Sequence, residues 1–107
     1  MKIFVDIDQT ICFYEGKTQT YAKPGSIDYS TASPYKDRIE KINNLYDQGN
    51  VVVYWTSRGS RTGKNWFNLT LNQLNTWGAR FTELKMGKPH FDLFIDDKNI
   101  NSEEYFK

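Results

Sequence analysis

The sequence predicts a small α/β domain with a mostly parallel sheet, of the three-layer, Rossmann-like type. Apolar runs at residues 1–5, 51–55 and 93–95 have the length and the β-branched or aromatic content of buried strands. Helical periodicity lies between the first two runs and recurs after the second. Strand, helix and strand in this order are typical of the right-handed crossover that joins parallel strands.

The size and composition predict one domain spanning residues 1–107, because a chain of 107 residues can bury a core. Its net charge is +1 with acidic and basic residues interspersed, so no basic face predicts nucleic-acid binding. No stretch has the apolar length of a membrane span, and no secretory leader pattern is present. With a single cysteine, Cys12, these features predict a cytoplasmic protein.

The first helix is predicted to follow Ser33 as its cap, with Pro34 at the first helical position and Gly49 just past the end. The remaining elements are predicted in chain order as a helix over residues 63–77, a short strand over 80–84, the strand over 93–95 and a docking helical turn within 99–107.

Residues 13–33 form a polar stretch that predicts a long loop or a small flap hairpin over the site described next. Tyr14, Tyr21 and Tyr29 either wall a substrate pocket there or pin the flap to the body. The chain has no room for a large cap domain, so this flap is the predicted lid.

Two carboxylates, Asp6 and Asp8, directly follow the first predicted strand. Residues two apart in an extended chain point to the same side, so both side chains are expected in one small volume. Their repulsion is relieved by a cation or a shared proton, and a hard oxygen-seeking ion such as Mg²⁺ suits the purpose. The alternative is a polar strand end with two solvated aspartates.

Polar residues also mark the ends of the other predicted strands. Thr56 and Ser57 follow the second strand, and Asp96 and Asp97 follow the last. Lys88 lies shortly before that last strand. Ligands of open α/β sheets gather at the carboxyl ends of strands, so these groups are predicted to meet at one rim. The alternatives are turn-forming hydroxyls, a solvated lysine and a polar loop with a local ion pair.

These motifs, in this order and spacing, resemble those of the haloacid dehalogenase superfamily of phosphotransferases. The matching segments are Phe-Val-Asp6-Ile-Asp8-Gln-Thr10, Val-Tyr-Trp-Thr56-Ser57-Arg58, Lys88 in Gly-Lys-Pro, and Ile95-Asp96-Asp97-Lys98. The match spans nearly the whole chain, and the short length is most similar to small cap-less members linked to capsule or polysaccharide biosynthesis. One departure is Gln9, where the superfamily usually has Gly.

The resemblance implies a Mg²⁺-dependent phosphomonoesterase that works through an aspartyl phosphate. It implies Asp6 as the nucleophile and Asp8 as the general acid and base, a role that favours a raised pKa. It implies that Mg²⁺ binds Asp6, the backbone carbonyl of Asp8, and Asp96. Asp97 is then either a further ligand or a residue that anchors the ligands.

The same resemblance implies that Thr56 and Lys88 contact the phosphoryl group. Thr10 and Ser57 are expected to join them in binding phosphate or substrate. Two alternatives stay open for Arg58, namely a contact with substrate phosphate and an ion pair on the surface. His90 is either structural or exposed, or else touches substrate.

The expected partner is a small phosphomonoester, such as a phosphorylated sugar or another capsule precursor. A phosphoryl transferase or mutase differs only in the acceptor that reaches the intermediate. A different class, a receiver-like module that accepts or binds phosphate without turnover, also places carboxylates, a hydroxyl and a lysine at strand ends. The many aromatic residues are compatible with a homo-oligomer interface and equally with a well-filled core.

Overall fold

The computed structural model describes residues 1–15 and 27–107, and it confirms the predicted α/β class. The strands are β1 (Lys2–Val5), β2 (Cys12–Phe13), β3 (Ser33–Pro34), β4 (Val51–Trp55) and β5 (Glu83–Lys85). The helices are α1 (Lys36–Asp47), α2 (Phe67–Thr76) and α3 (Ser102–Tyr105), and a 3-10 turn covers Tyr29–Thr31.

The main sheet of the described residues has three strands in the order β1, β4, β5, all parallel. In its register Val53 of β4 lies between Phe4 of β1 and Glu83 of β5. Because α1 precedes β4 and α2 precedes β5, each helix lies in the crossover between two parallel strands. The carboxyl ends of the three strands therefore meet at one edge of the sheet.

The core lies between this sheet and the first two helices. Ile39 and Ile42 of α1 and Leu74 of α2 are buried with Val52 and Tyr54, which share one face of β4. This packing fixes the edge from which the site side chains project.

The predicted docking turn at the end of the chain is confirmed by α3. Tyr105 and Phe106 pack against the core cluster. The ammonium of Lys41, on α1, donates a hydrogen bond of 3.0 Å to the carbonyl of Tyr105.

The predicted start of the first helix is wrong. Ser33 and Pro34 form β3 and pair antiparallel with Cys12 and Phe13. The helix begins three residues after Ser33, since the chain must first leave this pairing. The predicted stop is confirmed, because Gly49 lies just past the helix with a φ of +96°.

The second helix also begins later than predicted, at Phe67 rather than near residue 63. Gly59 and Gly63 have positive φ, so the chain between them turns instead of continuing into helix. The side chain of Asn65 accepts the amide of Phe67 at 2.9 Å, which satisfies a donor at the helix start.

The predicted strand over residues 93–95 is wrong. The structure assigns no strand to this segment, and Leu93 and Ile95 are 75% and 88% exposed. Among the described strands β1 pairs only with β4, so the segment at 93–95 does not join the sheet at β1 and lacks the hydrogen-bonded ladder that defines a strand.

Both ends of the predicted flap are held together by the β2–β3 pairing. Residues 16–26 of the flap, including Tyr21, lie outside the described residues. Within residues 1–15 and 27–107, no helix has the length and apolar character needed to cross a bilayer.

Candidate active site

The two aspartates that follow β1 each pair with a different basic side chain. The Lys88 ammonium lies 3.4 Å from Asp6 Oδ1, and Arg58 Nη2 lies 2.8 Å from Asp8 Oδ1. Ile7, between the aspartates, is fully buried and anchors the turn to the core. The predicted repulsion between the carboxylates is thus relieved by two cations of the chain itself.

Asp6 is the more accessible carboxylate, with 35% of its side chain exposed. Its second oxygen, Oδ2, accepts a 3.1 Å hydrogen bond from the Thr10 hydroxyl. Burial raises the pKa of Asp6, Lys88 lowers it, and the charge of Asp8 raises it again, for a net upward shift. Asp6 is therefore a partly exposed carboxylate of increased basicity.

The turn after β1 explains how Thr10 comes to lie beside Asp6. Gln9 has a φ of +64°, in the left-handed region that favours glycine. Its amide donates to the Cys12 carbonyl at 3.0 Å, while the amides of Thr10 and Ile11 both donate to the Ile7 carbonyl. Gln9 thus occupies, in this tight turn, the position at which the haloacid dehalogenase superfamily usually has Gly.

Lys88 reaches Asp6 because its backbone is held from both sides. Its amide donates to the Thr56 carbonyl at 3.1 Å, and its carbonyl accepts the Ser60 hydroxyl at 2.7 Å. Its ammonium lies 5.9 Å from the ring centre of Trp55. The loops after β4 and β5 are therefore joined at this lysine.

Arg58 is only 2% exposed, and its guanidinium holds Asp8 through two hydrogen bonds. The Nε group donates to Asp8 Oδ2 at 3.0 Å and Nη2 donates to Oδ1 at 2.8 Å. The Tyr14 hydroxyl also donates to Oδ1, at 2.6 Å. Neither sequence alternative for Arg58 describes this place, since the residue is neither on the surface nor directed at open solvent.

Two aromatic residues of the predicted flap, Tyr14 and Tyr29, lie beside this ion pair. The ring centre of Tyr29 is 4.8 Å from the Arg58 guanidinium carbon. Burial raises the pKa values of Tyr14 and Tyr29, and the nearby charge of Asp8 raises both further. Both phenols are thus held neutral, Tyr14 as a donor to Asp8.

The hydroxyl residues after β4 are placed by the chain itself. Thr56 is buried, and its hydroxyl oxygen accepts the amide of Arg58 at 3.1 Å. Ser57 is partly buried, and its carbonyl accepts the amide of Ser60 at 2.9 Å. Contacts of Thr10, Thr56 and Ser57 with phosphate stay predictions.

Asp96 and Asp97 are both exposed, and the structure does not bring them into a cluster with the first two aspartates. Asp96 Oδ2 instead accepts the amide of Lys98 at 3.3 Å. In the part of the chain that the structure describes, no three acidic, histidine or cysteine side chains group as a metal site. His90 is exposed as well.

The predicted Mg²⁺ was therefore tested against the donors that are present. Both carboxylate oxygens of Asp8 face Arg58, and one oxygen of Asp6 faces Lys88. The Lys88 ammonium competes with a divalent ion for that oxygen of Asp6, whereas the ligand that the resemblance implies at Asp8 is its backbone carbonyl. Asp96, the third ligand that the resemblance implies, is exposed and does not group with Asp6 and Asp8, so the described residues do not fit a Mg²⁺ site in this arrangement.

A cavity of about 160 Å³ lies between the loops after β4 and β5. Its lining includes Ser60, Lys64, Trp66 and Met86. The Lys64 ammonium lies 4.8 Å from the ring centre of Trp66. The cavity thus offers an aromatic face and a positive charge beside the loop that carries Lys88.

The chain is similar in structure to an MCSG target from Vibrio cholerae, known from a crystal structure. The TM-score is 0.77 at 24% identity, over 98% of this chain and 86% of that one. At this identity the similarity shows the fold alone. No family model matches the chain, and no curated protein matches it.

The sequence analysis missed two residues that complete the site. Thr70 and Gln73 of α2 both accept hydrogen bonds from Arg58, at 3.0 and 2.6 Å. The sequence held a signal for Thr70, which lies one turn before the buried Leu74 on a face where apolar side chains are expected. It held none for Gln73, which directly precedes Leu74 and points to a different side of the helix.

Proposed function

We propose that the chain is a phosphomonoesterase in which Asp6 is the nucleophile. The observation that carries the proposal is the pairing of a partly exposed Asp6 carboxylate with the Lys88 ammonium at the carboxyl edge of the sheet. A carboxylate can attack phosphorus to form an acyl phosphate, and an adjacent ammonium favours approach of the phosphate dianion.

In the first step Asp6 Oδ forms a bond to phosphorus while the bond from phosphorus to the ester oxygen breaks. The departing alcohol takes up a proton. In the second step water attacks phosphorus and loses a proton, the Asp6–phosphorus linkage breaks, and inorganic phosphate leaves with the carboxylate restored. Lys88 lies beside the oxygens on which negative charge accumulates in both steps.

Asp8 is the proposed group that gives and takes these protons, as the resemblance implies. It follows Asp6 by two residues, and its charge contributes to the raised pKa of Asp6. The proposed requirement for Mg²⁺ rests on the resemblance. A comparison of activity with Mg²⁺ and with a chelator tests it.

The proposed substrate class is a phosphorylated sugar or a similar polyol phosphate. The cavity beside the Lys88 loop supports it, because Trp66 gives it an apolar wall and Lys64 and Ser60 give it hydrogen-bond donors for hydroxyl groups. Its volume of about 160 Å³ suits a small group better than a polymer.

The ion pair at Asp8 also favours a second candidate, a phospho-accepting module without turnover. In this second candidate the contacts of Arg58 and Tyr14 with the Asp8 oxygens keep Asp8 from taking a proton from water, so a phosphorylated Asp6 is not hydrolysed. In that case an aspartyl phosphate accumulates and decays over hours. Rapid turnover supports the phosphatase instead.

The direct test of the class is hydrolysis of p-nitrophenyl phosphate by the purified chain, with Mg²⁺ and with a chelator. We expect turnover with Mg²⁺ present. Loss of that turnover in the chelator would support the metal requirement that the resemblance implies, and its persistence would support the described arrangement, in which cations of the chain pair with both aspartates. An Asp37→Asn variant, which changes an exposed carboxylate on α1, is the matched control and should retain full activity. Lack of turnover under every condition would contradict the phosphatase proposal.

Replacement of Lys88 by Met is expected to lower kcat/KM about 100-fold, as loss of one charge-stabilising group commonly does. It should also move the acid limb of the pH profile to higher pH. Lys88 lowers the pKa of Asp6, so its removal raises that pKa, and the nucleophile loses its charge at a higher pH.

The matched control is Lys85→Met, since Lys85 also lies over the Trp55 ring but makes no ion pair with an aspartate in the described residues. Ionisation of the substrate phosphate is the same for all three enzymes, so differences between profiles belong to the protein. An unshifted acid limb in the Lys88 variant would disprove the electrostatic coupling.

A further inference from the structure

The guanidinium of Arg58 has an acceptor for every one of its N–H bonds. Asp8 takes two of them, Thr70 and Gln73 take the two on Nη1, and the Tyr14 hydroxyl lies 3.4 Å from Nη2. None of these N–H groups is left over for a substrate phosphate.

The orientation of Arg58 is set by the elements packed around it. Thr70 and Gln73 come from the same face of α2, three residues apart. Gln73 also donates from Nε2 to the Tyr29 carbonyl at 2.7 Å, and the Tyr29 ring covers the guanidinium. Neutral side chains thus fix one side of the Arg58 guanidinium. The other side, a fork made of Nε and Nη2, faces Asp8.

We infer that Arg58 is a positioning residue that holds the Asp8 carboxylate in the one orientation from which it exchanges protons during turnover. The inference rests on the proposed function and concerns how its acid–base group is held. Arg58 acts through Asp8, because its guanidinium N–H groups are all taken by side chains of the protein.

Two physical points support a role in orientation. A paired fork fixes the carboxylate in the plane of the guanidinium, which a lysine ammonium cannot do. A buried ion pair is in general no better for stability than apolar residues of the same volume. The tightly defined geometry, rather than net stabilisation, is therefore the property that this arrangement supplies.

The test is Arg58→Lys, which keeps the positive charge and removes the fork. Nitrophenolate leaves readily without a proton, so phosphorylation of Asp6 by p-nitrophenyl phosphate needs little help from Asp8. Hydrolysis of the intermediate needs a base. We expect the variant to show a pre-steady-state burst of nitrophenol, followed by turnover slowed at least about 10-fold.

A second readout compares leaving groups. An alkyl phosphate such as glycerol 1-phosphate requires a proton on departure, so its kcat/KM should fall at least about 10-fold further in Arg58→Lys than that of the aryl ester. If Arg58 only stabilised the fold, its replacement would lower kcat/KM for both substrates by the same factor. It would lower the burst amplitude by that factor as well.

The matched control is Arg80→Lys. Arg80 makes the same two-bond contact with Asp47, at 2.9 and 2.5 Å, but on the exposed surface. It should change neither the burst nor the leaving-group ratio. Gln73→Met removes one acceptor of Arg58 and leaves its two hydrogen bonds to Asp8 in place. It should slow turnover after the burst and lower kcat/KM for the alkyl ester as Arg58→Lys does, but to a smaller extent.

The outcomes separate the two proposals. If the wild-type chain shows neither burst nor turnover, the proposed function fails and the inference fails with it. If the wild type is active and both Arg58→Lys and Gln73→Met keep its leaving-group ratio without a burst, the role of Arg58 is refuted and the phosphatase stands. If Arg58→Lys does not fold, the result for Gln73→Met decides.

Discussion

Replacement of Asp6 by Asn is expected to abolish turnover and to raise the melting temperature at neutral pH. Activity is lost because an amide cannot form the acyl phosphate. Stability rises because burial raises the pKa of Asp6 in the folded chain, so its ionised form disfavours folding. Neutral Asn lacks this unfavourable contribution.

The sign of the pH dependence follows from the direction of that shift. A carboxyl whose pKa is raised on folding contributes stability below its unfolded pKa, near 3.8, and this contribution is lost as pH rises through the folded pKa. The gain in melting temperature from Asp6→Asn should therefore be largest at pH 7. It should shrink as the pH falls toward the pKa of an ordinary carboxyl group.

The measurement is the melting temperature of both proteins by circular dichroism between pH 7 and pH 4, alongside hydrolysis of p-nitrophenyl phosphate. Asp37→Asn serves again as control, because its carboxylate is exposed on α1. A gain that is constant with pH would contradict the burial effect, and retained turnover would contradict the role of Asp6.

The second large effect is expected from Gly59→Ala in the loop after β4. A Cβ at this position would overlap the Lys64 carbonyl oxygen, and the residue has a φ of +82°. Backbone atoms cannot rotate away as a side chain can, so the loop must shift. We expect a loss of about 2–4 kcal/mol in the free energy of unfolding.

The loop supplies its own control. Gly63 has a φ of +74°, but a Cβ there meets nothing within 4 Å. Gly63→Ala should cost only about 1 kcal/mol, from the left-handed backbone alone. Urea denaturation with equal m-values would measure both losses. Equal losses for the two variants would show that the close approach to Lys64 does not matter.

Gly59→Ala should also reduce activity beyond its effect on stability. Its two chain neighbours are Arg58, which holds Asp8, and Ser60, which binds the Lys88 carbonyl. A displaced loop moves both contacts, whereas the change at Gly63 leaves them in place. Assays at a temperature where both variants are folded separate this effect from unfolding.

The main sheet was predictable because its signals are local. The runs of β1 and β4 are apolar and β-branched, and each ends at polar residues that the parallel arrangement must bring to one edge. The meeting of Asp6 with Lys88 depends on that topology and on the hydrogen bonds that hold Lys88 to the loop after β4. Stop signals were equally readable, since Gly49 and Gly78 both adopt positive φ just past a helix.

The partner of Arg58 was not predictable in the same way. Arg58 and Asp8 are fifty residues apart in the chain, and the acceptors that fix the guanidinium come from α2. An arginine is exposed by default, and only the three-dimensional packing shows that this one is enclosed.

The segment at residues 93–95 shows that a local sequence pattern can also predict an element that does not form. Its three apolar residues match a strand pattern, yet a pattern does not supply the neighbouring strand that a ladder requires. The carboxylates of Asp96 and Asp97, which were predicted from that strand, are consequently exposed and apart from Asp6.

The most direct test of the account is to find where the phosphoryl group goes. The chain is mixed with p-nitrophenyl phosphate, quenched in acid within the first turnover, digested and mapped by mass spectrometry. We predict one phosphoryl group on the peptide that contains Asp6, released by hydroxylamine and missing in Asp6→Asn. A turning-over enzyme with no phosphoryl group on Asp6, or with one on another residue, would contradict the account.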